Sequence, residues 1–207
     1  MLQKIKTIFL EKKSTTHLLE HKIENSKVIF SKPRRHSLAE QEQAVKLCEE
    51  MKQAGVIRES SSPYNSPIVM VTKKDGTTRF CIDFRKLNKD TKICKYPLTN
   101  PQSCFDKLHN AYFFTSLDLK AAYWSIPMAE EDKEKTAFTI RSAKYEFNVM
   151  PFGLTNAVAT FCALMDKLFA ECQWDFILCF IDDILVFTRN DFQLHLQQLE
   201  AVFQRIQ

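Results

Sequence analysis

The stretch Phe176–Thr188 constrains this chain more than any other. Six apolar residues, Phe176-Ile177-Leu178-Cys179-Phe180-Ile181, run into Asp182-Asp183, and Ile184-Leu185-Val186-Phe187 follow before Thr188. Runs this short, rich in β-branched and aromatic side chains, predict two buried strands rather than one helix, with both aspartates at the bend. Asp tolerates the left-handed backbone of a tight turn, although Asp-Asp is not among the strong hairpin pairs. Two adjacent carboxylates leaving an apolar hairpin repel each other and lose hydration. A divalent cation would relieve both. The other reading is a solvated turn with each acid pointing to water, so the rest of the chain has to decide.

A chain of 207 residues, 45% hydrophobic, is long enough for one large domain or two small ones and does not read as disordered. Its net charge of +4 leans toward a polyanionic partner without establishing one. The seven cysteines, Cys48, Cys81, Cys94, Cys104, Cys162, Cys172 and Cys179, form no C-x-x-C pair and mostly lie in apolar runs. That usage predicts small core residues in a reducing compartment, not a disulfide framework or a zinc site. Met1–Leu10 has too few consecutive apolar residues for a signal peptide, and no run reaches membrane-spanning length. The expectation is a soluble, intracellular, cytoplasmic protein with no membrane partner.

Residues 1–36 are polar and basic, with the cluster Lys32-Pro33-Arg34-Arg35-His36, and read as a loosely packed N-terminal extension. Ser37-Leu38-Ala39-Glu40 is a capping box, and the helix it opens carries Val45, Cys48 and Met51 on one face before stopping at Gly55. Turn-rich Ser60–Pro67 follows. Ile68–Thr72 and Arg79–Phe84 then flank an Asp75-Gly76 turn, a strong hairpin signal. Lys73, Lys74 and Arg79 crowd its tip, either as a solvated turn that discourages edge pairing or as a clamp for a polyphosphate. Arg85 to Pro101 reads as a polar connector, and Tyr112–Leu119 as a buried strand ending in Asp118, which is also placed to cap a helix. Glu130–Lys135 reads as a solvated mixed-charge stretch. A hairpin over Thr136–Ile140 and Lys144–Val149, a loop at Met150–Ala157, a helix from Val158 to about Cys172 and a last helix from Asp191 to Ile206 complete the chain. That last helix carries no ending signal, which suggests truncation.

Eight blocks in this order carry a resemblance: Gly55–Arg58, Ser62–Pro67, Lys73–Gly76, Arg79–Asn88, Ser116–Leu119, Lys135–Phe138, Met150–Ala157 and Phe180–Asp183. From about Ser37 to Ile206 the chain resembles the reverse transcriptase domain of gypsy-class long-terminal-repeat retrotransposons. The resemblance implies an α+β fold, the fingers and palm of a right-hand polymerase, with an antiparallel palm sheet and helices packed on one face. Asp118, Asp182 and Asp183 match the family's metal-binding aspartates. Two Mg²⁺ ions, or Mn²⁺ in their place, would there lower the pKa of a primer 3′-hydroxyl and neutralise the triphosphate and leaving pyrophosphate. Small hard cations demand oxygen ligands, which carboxylates supply. Lys73 and Arg79 match residues that contact the incoming triphosphate, and Ala121 and Ala122 match positions whose backbone N–H groups bind it. Tyr123 matches a steric gate against the 2′-hydroxyl, with a buried helix aromatic as the plain reading. Phe152 and Gly153 match the loop beside the nascent base pair.

The chain departs from the family pattern at several positions. Phe180 replaces the common Tyr of the acidic motif, Ala121-Ala122 stands where Ser-Gly is usual, and Val158 and Cys162 replace the usual Pro and Gln. The first of these removes a hydroxyl, and the last puts a template contact in doubt. None removes a metal ligand. The resemblance implies that the chain ends before the family's primer grip, thumb, connection, ribonuclease H and integrase regions. The implied function is an RNA-directed DNA polymerase domain acting on a primer-template with deoxynucleoside triphosphates and working with those downstream Pol domains. The alternatives are a non-catalytic remnant that at most binds nucleic acid, and a structural metal-binding domain unrelated to polymerases.

Overall fold

The computed structural model describes residues 15–72, 78–97, 100–119, 122–172, 175–181 and 183–206. The first elements are α1 (Leu38–Gln53), β1 (Ile57–Glu59), β2 (Ile68–Thr72), β3 (Thr78–Ile82), α2 (Arg85–Asp90), α3 (Pro101–Leu108) and β4 (Phe113–Asp118). After a 3₁₀ turn at Ala122–Ser125 come α4 (Glu130–Lys133), β5 (Phe138–Ile140), β6 (Ala143–Phe147), α5 (Ala157–Leu168), β7 (Ile177–Phe180), β8 (Asp183–Thr188) and α6 (Phe192–Ile206). Every strand pair between these elements is antiparallel, so the class is α+β. No helix among the described residues is long and apolar enough to cross a membrane.

The chain divides into two units. One holds residues 15–94 and 123–157, the other residues 95–122 and 158–206. In the first, α1 starts on the expected capping box: the Ser37 hydroxyl accepts from the Glu40 amide at 3.3 Å, and Glu40 Oε2 accepts from the Ser37 amide at 2.8 Å. It ends at Gly55, whose φ of +72° suits a residue without Cβ. A sheet of order β1-β6-β5 and the β2–β3 hairpin form beside it. Phe138, fully buried, sits at their junction, its ring centroid 5.7 Å from Phe80, 5.5 Å from Phe147 and 5.9 Å from Tyr145. The Asp75-Gly76 turn lies outside the described residues.

Several expectations need correction in this unit. Residues 15–36 are not a loose lead-in. His21 bridges Met128, Asn25 bridges Thr91 and Phe30 bridges Asn65, while His21, Ile23 and Ser31 are buried. Their backbone groups find partners across the unit, which the polar composition did not reveal. Nor is Glu130–Lys135 uniformly solvated. Asp132 is 4% exposed, its Oδ2 accepts from the Ile23 amide at 2.9 Å and its Oδ1 pairs with Lys135 Nζ at 2.6 Å. The Lys135 ammonium also donates to the Ile23 carbonyl at 2.7 Å, so the buried charges are paired and bonded. The connector after Phe84 contains α2, and Asp83 lies beyond the end of β3.

In the second unit the sheet has order β4-β8-β7, with Asp118 opposite Asp183 and Phe113 opposite Thr188. Strand β4 is half-exposed rather than buried, alternating along its length. The reason is its place at the sheet edge with only one face covered. Phe113 packs on Phe192 of α6 at 5.4 Å and on His195 at 6.1 Å. Period-two alternation then puts Phe114, Ser116 and Asp118 on the opposite face. Helix α5 buries Phe161, Leu164 and Met165, with Phe169 beyond its end. Helix α3, within the expected connector, opens on Asn100, which accepts from the Gln102 amide at 3.0 Å, with Pro101 at its first position. The cysteines are all free. Burial pushes the Cys48 and Cys179 thiols up to about 12, in keeping with core residues, whereas Cys94 is exposed.

Candidate active site

The β7–β8 hairpin and β4 bring two of the expected carboxylates together. Asp183 is the Cα partner of Phe180 in β7 and of Asp118 in β4. Residues directly opposite in an antiparallel pair project to the same face, with Cβ atoms about 4.5–5.5 Å apart. Both side chains are exposed, on the face away from α6. Asp183 is therefore the first residue of β8, not part of the bend. Ile181 follows β7 in the turn, and Asp182 lies outside the described residues. Ile181 has φ +54°. Tight two-residue hairpins use positive φ at this position, normally with Gly, Asn or Asp, and a β-branched residue there is strained. Phe180 ends β7 with its ring 43% exposed, so the missing hydroxyl leaves no packing gap.

A second cluster forms within the other unit. The Tyr123 ring, 7% exposed, meets the Phe152 ring edge to face at 5.0 Å and 63°. Arg79 lies over the other partner of that pair, its guanidinium carbon 6.0 Å from the Phe152 centroid, and Trp124 lies 6.5 Å from it. Arg79, Tyr123 and Phe152, separated in sequence, thus share one site around the Phe152 ring. The Phe152 loop is braced on both sides. Asn88 donates to the Gly153 carbonyl at 2.8 Å and accepts from the Thr155 amide at 3.0 Å. Asn156 accepts from the Cys94 amide at 3.0 Å and donates to the Lys92 carbonyl at 2.9 Å. Gly153 has φ +93°, which the turn requires. Lys73 and Ala121 lie outside the described residues. The Ala122 amide donates to the Leu119 carbonyl at 3.2 Å, closing the turn after β4.

Comparison with known proteins decides the family. The model for "Reverse transcriptase (RNA-dependent DNA polymerase)" matches residues 71–207, about two thirds of the chain. This chain belongs to the reverse transcriptase family. Among curated proteins, the Retrovirus-related Pol polyprotein from transposon gypsy of Drosophila melanogaster is 40% identical over 154 residues, covering 72% of this chain and 15% of the polyprotein. The corresponding polyprotein from transposon 297 of the same species is 35% identical over 203 residues, 95% of this chain and 19% of its own length. An RNA-directed DNA polymerase homolog of Oenothera berteroana is 43% identical over 126 residues, 60% of this chain and 89% of that protein. The chain is thus a reverse transcriptase domain of the gypsy type, spanning under a fifth of the length of each of the two Drosophila polyproteins.

The donor set at the acid pair suits a small hard cation. Two oxygen-only ligands share one face, and like charges directly opposite each other are unfavourable unless a counterion lies between them. Among the described residues no group of three or more potential metal ligands gathers, and the pair is two of the three aspartates that the resemblance implies. Three contributors to this reverse transcriptase domain were missed in the sequence. Asn88 and Asn156 position the Phe152 loop, and His195 holds α6 to the acid-bearing sheet. Its Nε2 lies 2.9 Å from the Thr115 hydroxyl and its Nδ1 lies 2.8 Å from that of Thr188. Because Thr188 spends its hydroxyl hydrogen on Gln198, Nδ1 carries the imidazole proton and Nε2 accepts from Thr115. Asn88 stands in a block of the resemblance, which was the available signal. No local pattern marks His195.

Proposed function

We propose that this reverse transcriptase domain is an RNA-directed DNA polymerase that extends a primer 3′-hydroxyl from deoxynucleoside triphosphates on an RNA or DNA template. The pairing of Asp118 with Asp183 across β4 and β8 is the observation that carries the reading. The unit bearing the acid pair is the palm, and the unit bearing Arg79, Tyr123 and Phe152 is the fingers. Asp118 and Asp183, with Asp182 as the third ligand that the resemblance implies, would hold two Mg²⁺ ions, which would supply a lowered pKa for the primer hydroxyl and charge neutralisation at the triphosphate. Arg79 presents a guanidinium to triphosphate oxygens, its stem fixed by β3 and its charge set over Phe152. Tyr123 lies under the sugar as the gate, held upright by the Phe152 edge contact. Lys73 adds a second cation to the triphosphate, and Ala121 and Ala122 add backbone donors. The domain works with thumb, ribonuclease H and integrase domains of a Pol polyprotein, in the cytoplasm or a retrotransposon particle.

Primer extension on an RNA template with Mg²⁺ and deoxynucleoside triphosphates tests the reading. The expected result is labelled product from the native sequence and a loss of roughly a hundredfold or more in Asp118→Asn and Asp183→Asn proteins that remain folded, since metal stabilisation of the transition state is worth several kcal/mol. Product that survives both substitutions contradicts the site. No product from the folded native chain leaves a remnant that only binds nucleic acid.

A further inference from the structure

Strand β7 ends at Phe180 and β8 begins at Asp183, so their short connection sets the register between them. No such connection joins β4 to β8. Strand β4 ends at Asp118, far upstream of Asp183 in the chain, and in the order β4-β8-β7 it is an edge strand. The acid pair therefore depends on a register that no turn dictates. Side-chain alternation excludes a slip of one residue, which would turn Asp118 to the α6 face, but a slip of two keeps every side chain on its own face. At about 3.3–3.4 Å per residue, that slip would carry Asp118 about 7 Å along the strand from Asp183. Something on the α6 face has to tell the two registers apart.

The buried His195 ring can do so. On that face Thr115 stands opposite Val186 and Phe113 opposite Thr188, so the two threonine hydroxyls lie diagonally across the β4–β8 ladder. The imidazole spans them, with Nε2 2.9 Å from Thr115 Oγ1 and Nδ1 2.8 Å from Thr188 Oγ1. Thr188 gives its hydrogen to Gln198, so Nδ1 donates and Nε2 needs a donor from β4. The neighbours of Thr115 on the same face are Phe113 and Leu117, whose side chains have no donor, so a slip of two in either direction would leave Nε2 facing carbon. The ring is itself held to β8 through a short capped connection. Asp191 Oδ1 accepts from the Gln193 and Leu194 amides at 2.8 and 3.1 Å, and the His195 amide donates to the Asp191 carbonyl at 3.0 Å. His195 thus carries the position of β8 to a strand distant in sequence.

We propose that His195 is a positioning residue for the acid pair: by bonding Thr115 and Thr188 at once, it holds β4 in the register that sets Asp118 opposite Asp183. Its effect on a bound cation rests on the polymerase reading above, whereas its effect on the strand pair does not. Two measurements separate them, Mn²⁺ binding followed by electron paramagnetic resonance and hydrogen exchange of the β4 amides. Thr115→Val removes the hydroxyl but keeps the side-chain shape, in a strand that suits valine. It should weaken Mn²⁺ binding about tenfold, as substitutions that support metal ligands do. Exchange of the β4 amides should quicken about fivefold, the net worth of one hydrogen bond. His195→Ala should weaken Mn²⁺ binding at least as much, and adding Thr115→Val to it should cost nothing further, because the link is already broken. His195→Gln, whose amide offers a donor and an acceptor, should restore most of the affinity. Native Mn²⁺ affinity and native β4 exchange in Thr115→Val would overturn the proposal and leave His195 to packing. So would a full additional loss when Thr115→Val is added to His195→Ala. If the native chain binds no Mn²⁺ while β4 exchange quickens in Thr115→Val, the metal reading falls and the register role stands. If Mn²⁺ binds and neither quantity changes in Thr115→Val, the register role alone falls.

Discussion

At the scale of single residues, burial and chemistry pull on Tyr123 together. Its ring is 7% exposed and edge-on to Phe152, as a core aromatic would be, yet it follows Asp118 by only five positions and shares its cluster with Arg79. A gate needs a ring that cannot retreat, and the Phe152 contact supplies that rigidity, worth about 0.5–1.5 kcal/mol beyond area burial. Tyr123→Ala should therefore relax discrimination against ribonucleotides by roughly tenfold, a loss of about 1.4 kcal/mol of selectivity. Tyr123→Phe, which keeps the ring, should preserve it. Single-nucleotide incorporation with deoxy and ribo substrates measures both, and unchanged sugar selectivity in the alanine protein would reduce Tyr123 to packing.

The element that bears the acids also carries backbone strain. Ile181 at φ +54° holds a left-handed conformation that costs an L residue about 1–2 kcal/mol, and at 39% exposure it gains little burial in return. Ile181→Asn should stabilise the fold by roughly 1 kcal/mol, because Asn visits this region readily. A higher midpoint in urea denaturation checks it, and a lower one would show that the Ile181 side chain packs more than its exposure suggests. The hairpin itself was legible from its two apolar runs, but its turn was not. Whether Asp183 closes the bend or opens β8 is fixed by pairing with distant Asp118, and no local pattern encodes that register. The capping box of α1 was readable because both partners lie within one turn. Helix α2 was not, since Phe84 at its start makes no side-chain cap bond, whereas the Asn100-Pro101 start of α3 was a signal left unread.

At the scale of the whole molecule, the segment before α1 is tied down through a buried imidazole. His21 is 1% exposed, and burial pushes its pKa from 6.5 down to about 4, with Asp132 partly opposing. The unfolded chain binds a proton that the folded chain refuses, so stability is full above pH 6.5 and is lost as pH falls through 4, by on the order of 3 kcal/mol. Burial lowers the His195 pKa as well, which adds to the loss in the same direction. Urea midpoints at pH 7 and pH 4.5 should fall less steeply in His21→Gln than in the native protein, and an equal fall would remove His21 from the account. Composition could not show this, because a polar, basic run looks alike whether solvated or packed; the buried Asp132–Lys135 pair was hidden in the same way. The acids were legible because their chemistry is strange without a counterion, whereas Asn88, Asn156 and His195 are ordinary residues whose roles exist only in three dimensions. The most direct measurement is therefore Mn²⁺ titration followed by electron paramagnetic resonance. The native chain should bind the ion, and Asp118→Asn and Asp183→Asn should each weaken that binding at least tenfold, the loss of one ligand charge. Binding that is indifferent to Asp118 while sensitive to Asp183 would contradict a shared site across β4 and β8.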